Sequence, residues 1–157
     1  MTRMDHLRGV PPTAREMQVV QLVAQGKTAP QIGAELNLSP ITVKQHLARI
    51  GVKFGVGDRA GIVGAAIRCG YLRVPVTGLP PAGFDEGLFD VLVRIARGMS
   101  NQEIGDELYL SCESVKSRVR RLLALFGVRC REQAVYAGVA CGALRLVPVV
   151  RREQVAA

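Results

Sequence analysis

The chain has no tryptophan, and only four phenylalanines, three tyrosines and two histidines stand among its 157 residues. With so few rings, any interior must be built from aliphatic side chains, and two histidines offer little for an imidazole-based catalytic or zinc site. The four cysteines, Cys69, Cys112, Cys130 and Cys141, form no Cys-x-x-Cys pair. Their spacing suggests neither a zinc clasp nor a disulfide framework, and free thiols in a reducing compartment are expected. A Gly-x-x-x-x-Gly-Lys phosphate loop, a nucleophile elbow and a metal-spaced cluster are missing. No catalytic residue is therefore assigned, no cofactor or metal is expected, and an enzyme is not the expected class. No stretch reaches the roughly eighteen apolar residues of a membrane span, and residues 1–12 lack the apolar run of a signal peptide. The cytoplasm is the expected compartment. Negative charge is scarce as well: thirteen acidic residues against twenty-one lysines and arginines leave a net +8, which favours a polyanionic partner such as nucleic acid or an anionic membrane face.

What the chain does contain, it contains twice. Gly26 falls on Gly98 at an offset of 72 positions, and Ile32-Gly33, Glu35-Leu36, Leu38-Ser39, Val43-Lys44, Arg49, Phe54-Gly55-Val56, Arg59, Val63, Ala65, Cys69-Gly70 and Leu72-Arg73 meet identical residues in the same ungapped register. So many identities over about sixty residues mark a duplication. The two units are placed at residues 12–72 and 84–144, joined by a connector at 73–83 that is rich in proline and glycine and reads as short and stiff. Each unit is near the lower size limit for an independent core, so the two are expected to lean on one another.

The local signals are helical throughout. Thr13 followed by Glu16 has the spacing of a capping box, with Val19, Val20 and Val23 following at helical spacing before Gly26. Thr28 and Ser100 stand as caps of a short second helix carrying Ile32 and Leu36, or Ile104 and Leu108. Ser39 and Ser111 cap a third helix, in the first copy with Pro40 at the first helical position, where its missing N–H costs nothing. A short scaffold helix, a tight turn and a capped third helix are the ingredients of a helix-turn-helix.

On a helical wheel Val43, Leu47, Ile50 and Phe54 form one stripe, and Lys44, Gln45, Ala48 and Arg49 fall opposite. In the second copy the stripe is Val115, Val119, Leu122 and Phe126, with Lys116, Ser117, Arg120 and Arg121 facing away. A basic face that twice follows a short helix and a turn points to DNA. Thr42, His46, Arg49, Ser114, Arg118 and Arg121 lie beside that face and are expected to hold phosphates; for His46 a packed ring is an equal alternative.

Both copies resemble the C-terminal DNA-binding domain of LuxR-type (GerE-like) regulators. The residues that carry the resemblance are Thr13 to Glu16, Ala24 to Thr28, Ser39 to Leu47, Lys53 to Val56, Arg59 and Ala66 to Gly70, and in the second copy Gly98 to Ile104, Ser111 to Lys116 and Phe126 to Val128. The second copy departs at its opening, where Gly87-Leu88 replace Arg15-Glu16, and its segment Ser114 to Arg121 also resembles sigma-factor region four. The resemblance implies an all-α fold of two tandem four-helix domains. It implies base contacts from Lys44, Gln45 and Ala48 and from Lys116, Ser117 and Arg120, positions the wheel reaches independently. Gln45 suits an adenine edge and Arg120 a guanine edge, so an asymmetric site is expected.

In the family resembled, the fourth helix is the dimerisation helix. Here that segment is dense in small residues, and Gly61, Gly64, Ala65, Ala137 and Gly138 are expected at a dimer or pseudo-dimer interface. The tether makes an intrachain pseudo-dimer the expected form, with a homodimer as the competing geometry. A bacterial transcription regulator associated with the nucleoid is thus the expected function. The alternative is a helix-turn-helix used to bind protein, such as an anti-activator or a sigma-factor or RNA-polymerase-binding factor, to which an outward Leu123 and Leu125 would be suited. Arg145 to Ala157 and Met1 to Pro11 carry arginines that could serve as phosphate-binding arms, although frayed ends are the plainer reading.

Overall fold

The computed structural model describes residues 4–146; residues 1–3 and 147–157, which include most of the proposed arms, lie outside the described residues. Among the described residues there are eight α-helices and no strand. They are α1 (Ala14–Ala24), α2 (Ala29–Leu36), α3 (Pro40–Phe54) and α4 (Arg59–Arg68), then α5 (Glu86–Ala96), α6 (Asn101–Leu108), α7 (Cys112–Phe126) and α8 (Arg131–Ala140), after a single 3-10 turn at Asp5–Leu7. Every boundary of α5 to α8 is the corresponding boundary of α1 to α4 displaced by 72 residues.

The ends form where capping chemistry puts them. Thr13, Thr28 and Ser100 make complete capping boxes with Glu16, Gln31 and Glu103, satisfying amides that a helix start leaves open. Ser39 and Ser111 accept from the amides of Thr42 and Ser114. In the second copy α5 is capped by Asp85, which accepts from the Leu88 amide at 2.9 Å. An acid at that position supplies both a hydrogen bond and a favourable charge at the positive helix end.

The turn that gives each unit its shape depends on a glycine. The Leu38 amide donates to the Gly33 carbonyl, and the Leu110 amide to Gly105, each at 2.9 Å. A Cβ at Gly105 would come within 2.6 Å of the Leu110 carbonyl oxygen, and one at Gly33 would meet Leu38 closer still. Both copies therefore keep glycine where the turn folds back on its scaffold helix. Gly51, inside α3, is buried, and a Cβ there would approach the Val56 carbonyl oxygen to 2.8 Å.

A single apolar core runs through both units. Val19, Val20, Val23, Ile32, Val43 and Ile50 are sealed in one copy, and Leu88, Val91, Leu92, Ile95, Ile104 and Leu122 in the other. The units join chiefly where α4 packs on α8, with α4 also against α5 and α8 against α1. Gly61 lies so close to Gly98 that a Cβ on it would be 2.7 Å from the Gly98 Cα, and a Cβ on Gly64 would collide with the Ala96 carbonyl. At the position equivalent to Gly61, Gln133 reaches across and donates to the Gln25 carbonyl at 2.8 Å. Arg59 sits 3.2 Å from Glu132 over the same seam, and Arg68 donates to the Ala96 carbonyl at 3.0 Å. Ala65 is buried within α4, and Ala137 borders a cleft beside Gln21, Ala24 and Gln25. Gly138 is placed differently from its expectation. A Cβ on it would press on Leu92 and Leu144 of its own unit, so its small size serves the local core.

One buried feature has no counterpart in the second copy. Lys53 donates to the Glu16 carboxylate at 2.7 Å, with side-chain exposures of 5% and 4%, and also to the Pro11 carbonyl at 3.1 Å. The Thr13 amide donates to the same carboxylate oxygen at 2.8 Å. Burial pushes the Glu16 pKa up, but the Lys53 ammonium and the Thr13 donors outweigh it and hold the carboxyl below its ordinary value of 4.5. The equivalent positions are Leu88, fully buried, and Leu125.

Candidate nucleic-acid interface

Helices α3 and α7 each put one face on the core and the other in solvent. Val43 and Ile50, and Val115, Val119 and Leu122, are buried. Lys44, Gln45, Ala48 and Arg49, and Lys116, Ser117, Arg120 and Arg121, are all exposed. The caps fix where each exposed polar face begins. Thr42 and Ser114 share their hydroxyls with Ser39 and Ser111 at 2.8 Å, so both stand at the helix start beside its unpaired amides, an arrangement that suits an anionic oxygen.

The flanking groups are less uniform than their sequence positions suggest. His46 is half-buried, and its Nδ1 is enclosed without a hydrogen-bond partner. At the equivalent position Arg118 is half-buried and turned toward α5, its guanidinium 3.5 Å from the Gly87 carbonyl. Arg121 remains exposed but pairs with Asp85 at 3.1 Å and donates to the Gly83 carbonyl at 3.1 Å. Exposed pairs of this kind exchange readily for another anion, since they contribute little. Arg49 has no such pair among the described residues.

Sequence reasoning passed over Glu113. It is 68% exposed on the solvent face of α7, 3.3 Å from Arg120 and 3.7 Å from Lys116. Residue 120 lies two helical turns beyond 113, which puts the acid and both cations on one stripe. The first copy has Ile41 there, 69% exposed. The spacing of Glu113 to Lys116 and Arg120 was the signal available in the sequence. Tyr109 was passed over as well. It ends α6 with a left-handed φ of 55°, where the first copy has Asn37 at 56°, and its ring is 96% exposed in the turn before α7.

Leu123 and Leu125 do not form the outward apolar surface expected of them. Both are half-buried and pack against the core, and Leu125 lies 3.7 Å from where a Cβ on Gly83 would be. Leu125 thus lies beside the incoming connector at Gly83, and both leucines spend much of their surface on the core. The thiols of Cys69, Cys112, Cys130 and Cys141 are free; burial pushes the Cys130 thiol up, away from the reactive thiolate. No group of three or more histidines, cysteines and acids comes together as a metal site among the described residues. No helix among them is long and apolar enough to cross a membrane.

Comparison with known proteins finds the same domain twice. Residues 12–66 and 89–137 each match the family described as "Bacterial regulatory proteins, luxR family". The chain is 46% identical over 56 residues to the probable transcriptional regulatory protein NarL of Mycobacterium tuberculosis, covering 36% of this chain and 26% of that protein. It is 37% identical over 62 residues to the spore germination protein GerE of Bacillus subtilis, covering 40% of this chain and 84% of that one. With the transcriptional regulatory protein UhpA of Escherichia coli it shares 48% over 48 residues, 31% of this chain and 24% of the relative. The match thus spans about a quarter of NarL and UhpA and most of GerE. No solved structure matches the chain. Two family matches that together cover most of its length, on helices that repeat one another in register, place the chain in the luxR family of bacterial regulatory proteins.

Proposed function

We propose that the protein is a sequence-specific regulator of transcription that reads one asymmetric duplex site with two unlike recognition helices, α3 and α7. The observation that carries this reading is the pair of exposed polar faces, Lys44, Gln45 and Ala48 on one helix and Lys116, Ser117 and Arg120 on the other, on a scaffold that joins the two units through α4 and α8. Lysine and arginine supply affinity for the polyanion, and hydrogen-bonding side chains at the groove supply choice among bases. Thr42, Arg49, Ser114 and Arg121 flank the faces and would fix register on phosphates, with His46 and Arg118 contributing less because both are turned inward.

The units at residues 12–72 and 84–144 act as a pseudo-dimer within one chain. Support comes from the contact of α4 with α8 and from the glycines at 61 and 64, which let the backbones approach. The connector at 73–83 makes the second half-site contact intramolecular, at an effective concentration on the order of millimolar. The recognition helices would then enter successive major grooves about one helical turn apart. Such a protein works in the cytoplasm on the nucleoid, and a bound regulator stands where RNA polymerase or a sigma factor can be met.

The test is a fluorescence titration of labelled duplexes at several salt concentrations. Binding that weakens steeply with salt is expected, because phosphate contacts release counterions. Arg120→Ala is expected to cost roughly 1–3 kcal/mol on the preferred site and to relax choice at one base pair, whereas Arg49→Ala weakens specific and random duplexes alike. Equal losses on both duplexes for Arg120→Ala would remove its assigned role. Glu113→Gln frees Arg120 and Lys116 from their carboxylate, so tighter binding to random duplexes is expected; unchanged affinity for them would show that Glu113 does not restrain the reading cations.

A further inference from the structure

The duplication produces two related grooves, and only one of them has changed character. Each runs along the outer face of a unit's first helix and under the segment that follows its fourth. In the first copy the groove is lined by Gln21 of α1 and Gln25 just beyond its end, with Leu72, Arg73 and Tyr136. In the second, Val93 and Arg97 stand where the two glutamines do, Phe89 replaces Met17, and Arg68 enters from α4 at the position equivalent to Ala140. The result is a groove of about 330 Å³ lined by the apolar Phe89, Val93, Leu144 and Leu146 and by Arg68, Arg97 and Arg145.

Among the described residues, nothing in the lining balances those three cations. No acidic residue borders the groove, and neither Arg97 nor Arg145 has an ion pair among the described residues. Arg68 has one N–H bonded to the Ala96 carbonyl; burial, and then the charge of Arg97, pulls its pKa below the ordinary value. A half-buried Arg68 flanked by the exposed Arg97 and Arg145 gathers like charge that favours an incoming carboxylate. No residue of α3 or α7 lines the groove.

We propose that this groove binds an acidic peptide segment of a partner protein, with carboxylates on Arg68, Arg97 and Arg145 and an aliphatic or aromatic anchor on Phe89 and Val93. Charge complementarity selects the occupant. The chain's own C-terminal residues are a poor match in sequence, since Arg151 and Arg152 outnumber Glu153 and would bring cations to cations. The inference goes beyond the reading of α3 and α7 as DNA-binding helices and does not depend on it.

The experiment is fluorescence anisotropy of the full chain with a fluorescein-labelled twelve-residue peptide of aspartates and glutamates carrying two leucines and a phenylalanine. Saturable binding is expected, weakened about tenfold or more by Arg97→Glu and by Phe89→Ser, and unaffected by Lys116→Ala with Arg120→Ala. Circular dichroism confirms that the variants fold, and both groove positions are solvent-facing enough to tolerate change. Several results would overturn the proposal. Equal binding of a control peptide with serines in place of its apolar residues would reduce the effect to bulk charge. Loss confined to the Lys116 and Arg120 variant would put the peptide on the DNA-facing helix. Binding that appears only after Pro148, Val149 and Val150 are changed to serine would give the groove to the chain's own tail, and concentration-dependent self-association abolished by Arg97→Glu would give it to a second copy.

Discussion

Replacing Glu16 by alanine is expected to destabilise the protein by about 3–5 kcal/mol, a large share of the roughly 5–15 kcal/mol that holds a domain of ordinary stability together. The loss exceeds that of a missing cap because the Lys53 ammonium, at 5% side-chain exposure, would be left without its carboxylate. The second copy indicates the remedy. With Leu88 and Leu125 at the equivalent positions it dispenses with both charges, so Glu16→Leu combined with Lys53→Leu is expected to recover most of the loss. Replacing a buried pair by apolar residues is often neutral or stabilising, whereas removing one partner is not. Urea unfolding followed by circular dichroism checks the series. A single variant within 1 kcal/mol of the parent would show that the pair is hydrated and unimportant. The same pair sets a pH dependence. Because the folded protein holds the Glu16 carboxyl below 4.5, its contribution is present above that pH and is lost as the pH falls through the depressed folded value. The double leucine variant should lose this part of the acid sensitivity.

Gly64→Val is expected to uncouple the two units. The Ala96 carbonyl leaves no room for a Cβ, and the atom in the way is backbone that cannot rotate aside. Helix α4 must therefore move off α5, opening the seam between the units where the two helices pack. Overpacking of this kind costs typically 1–3 kcal/mol and more where backbone must shift. A single unfolding transition in the parent should become broader or split in the variant. Affinity for the full DNA site should fall toward that of one unit, since the gain from tethering requires a geometry that reaches both half-sites. One transition at an unchanged midpoint would show that the contact is not needed for the units to act together.

Much of this architecture is written locally and can be read without coordinates. Thr13, Thr28, Ser39, Ser100 and Ser111 cap helices because a short oxygen side chain three residues before an open amide has little else to do, and the offset of 72 carries the assignments of Thr28 and Ser39 to Ser100 and Ser111. The exposed positions of α3 and α7 follow from helical period alone. What was not legible depends on partners distant in sequence. Glu16 is fully explained by its capping box, so nothing in its neighbourhood announces Lys53, 37 residues away. The clue lay in the other copy, where both positions become leucine together. Gly138 and Gly64 are both small residues on a fourth helix, and only packing shows that one admits Leu92 of its own unit while the other admits Ala96 across the seam. Leu123 and Leu125 look outward on a wheel, but both pack in part against the core, Leu125 beside Gly83 of the connector.

Selection of bound duplexes from a random pool by the full chain tests the central claim most directly. Two dissimilar half-sites at a fixed spacing of about one helical turn are expected, with Arg120→Ala degrading one half and Gln45→Ala the other. A palindromic consensus would mean that two chains each contribute the same helix, and a pool that remains random at low salt would mean that the exposed faces of α3 and α7 do not read DNA.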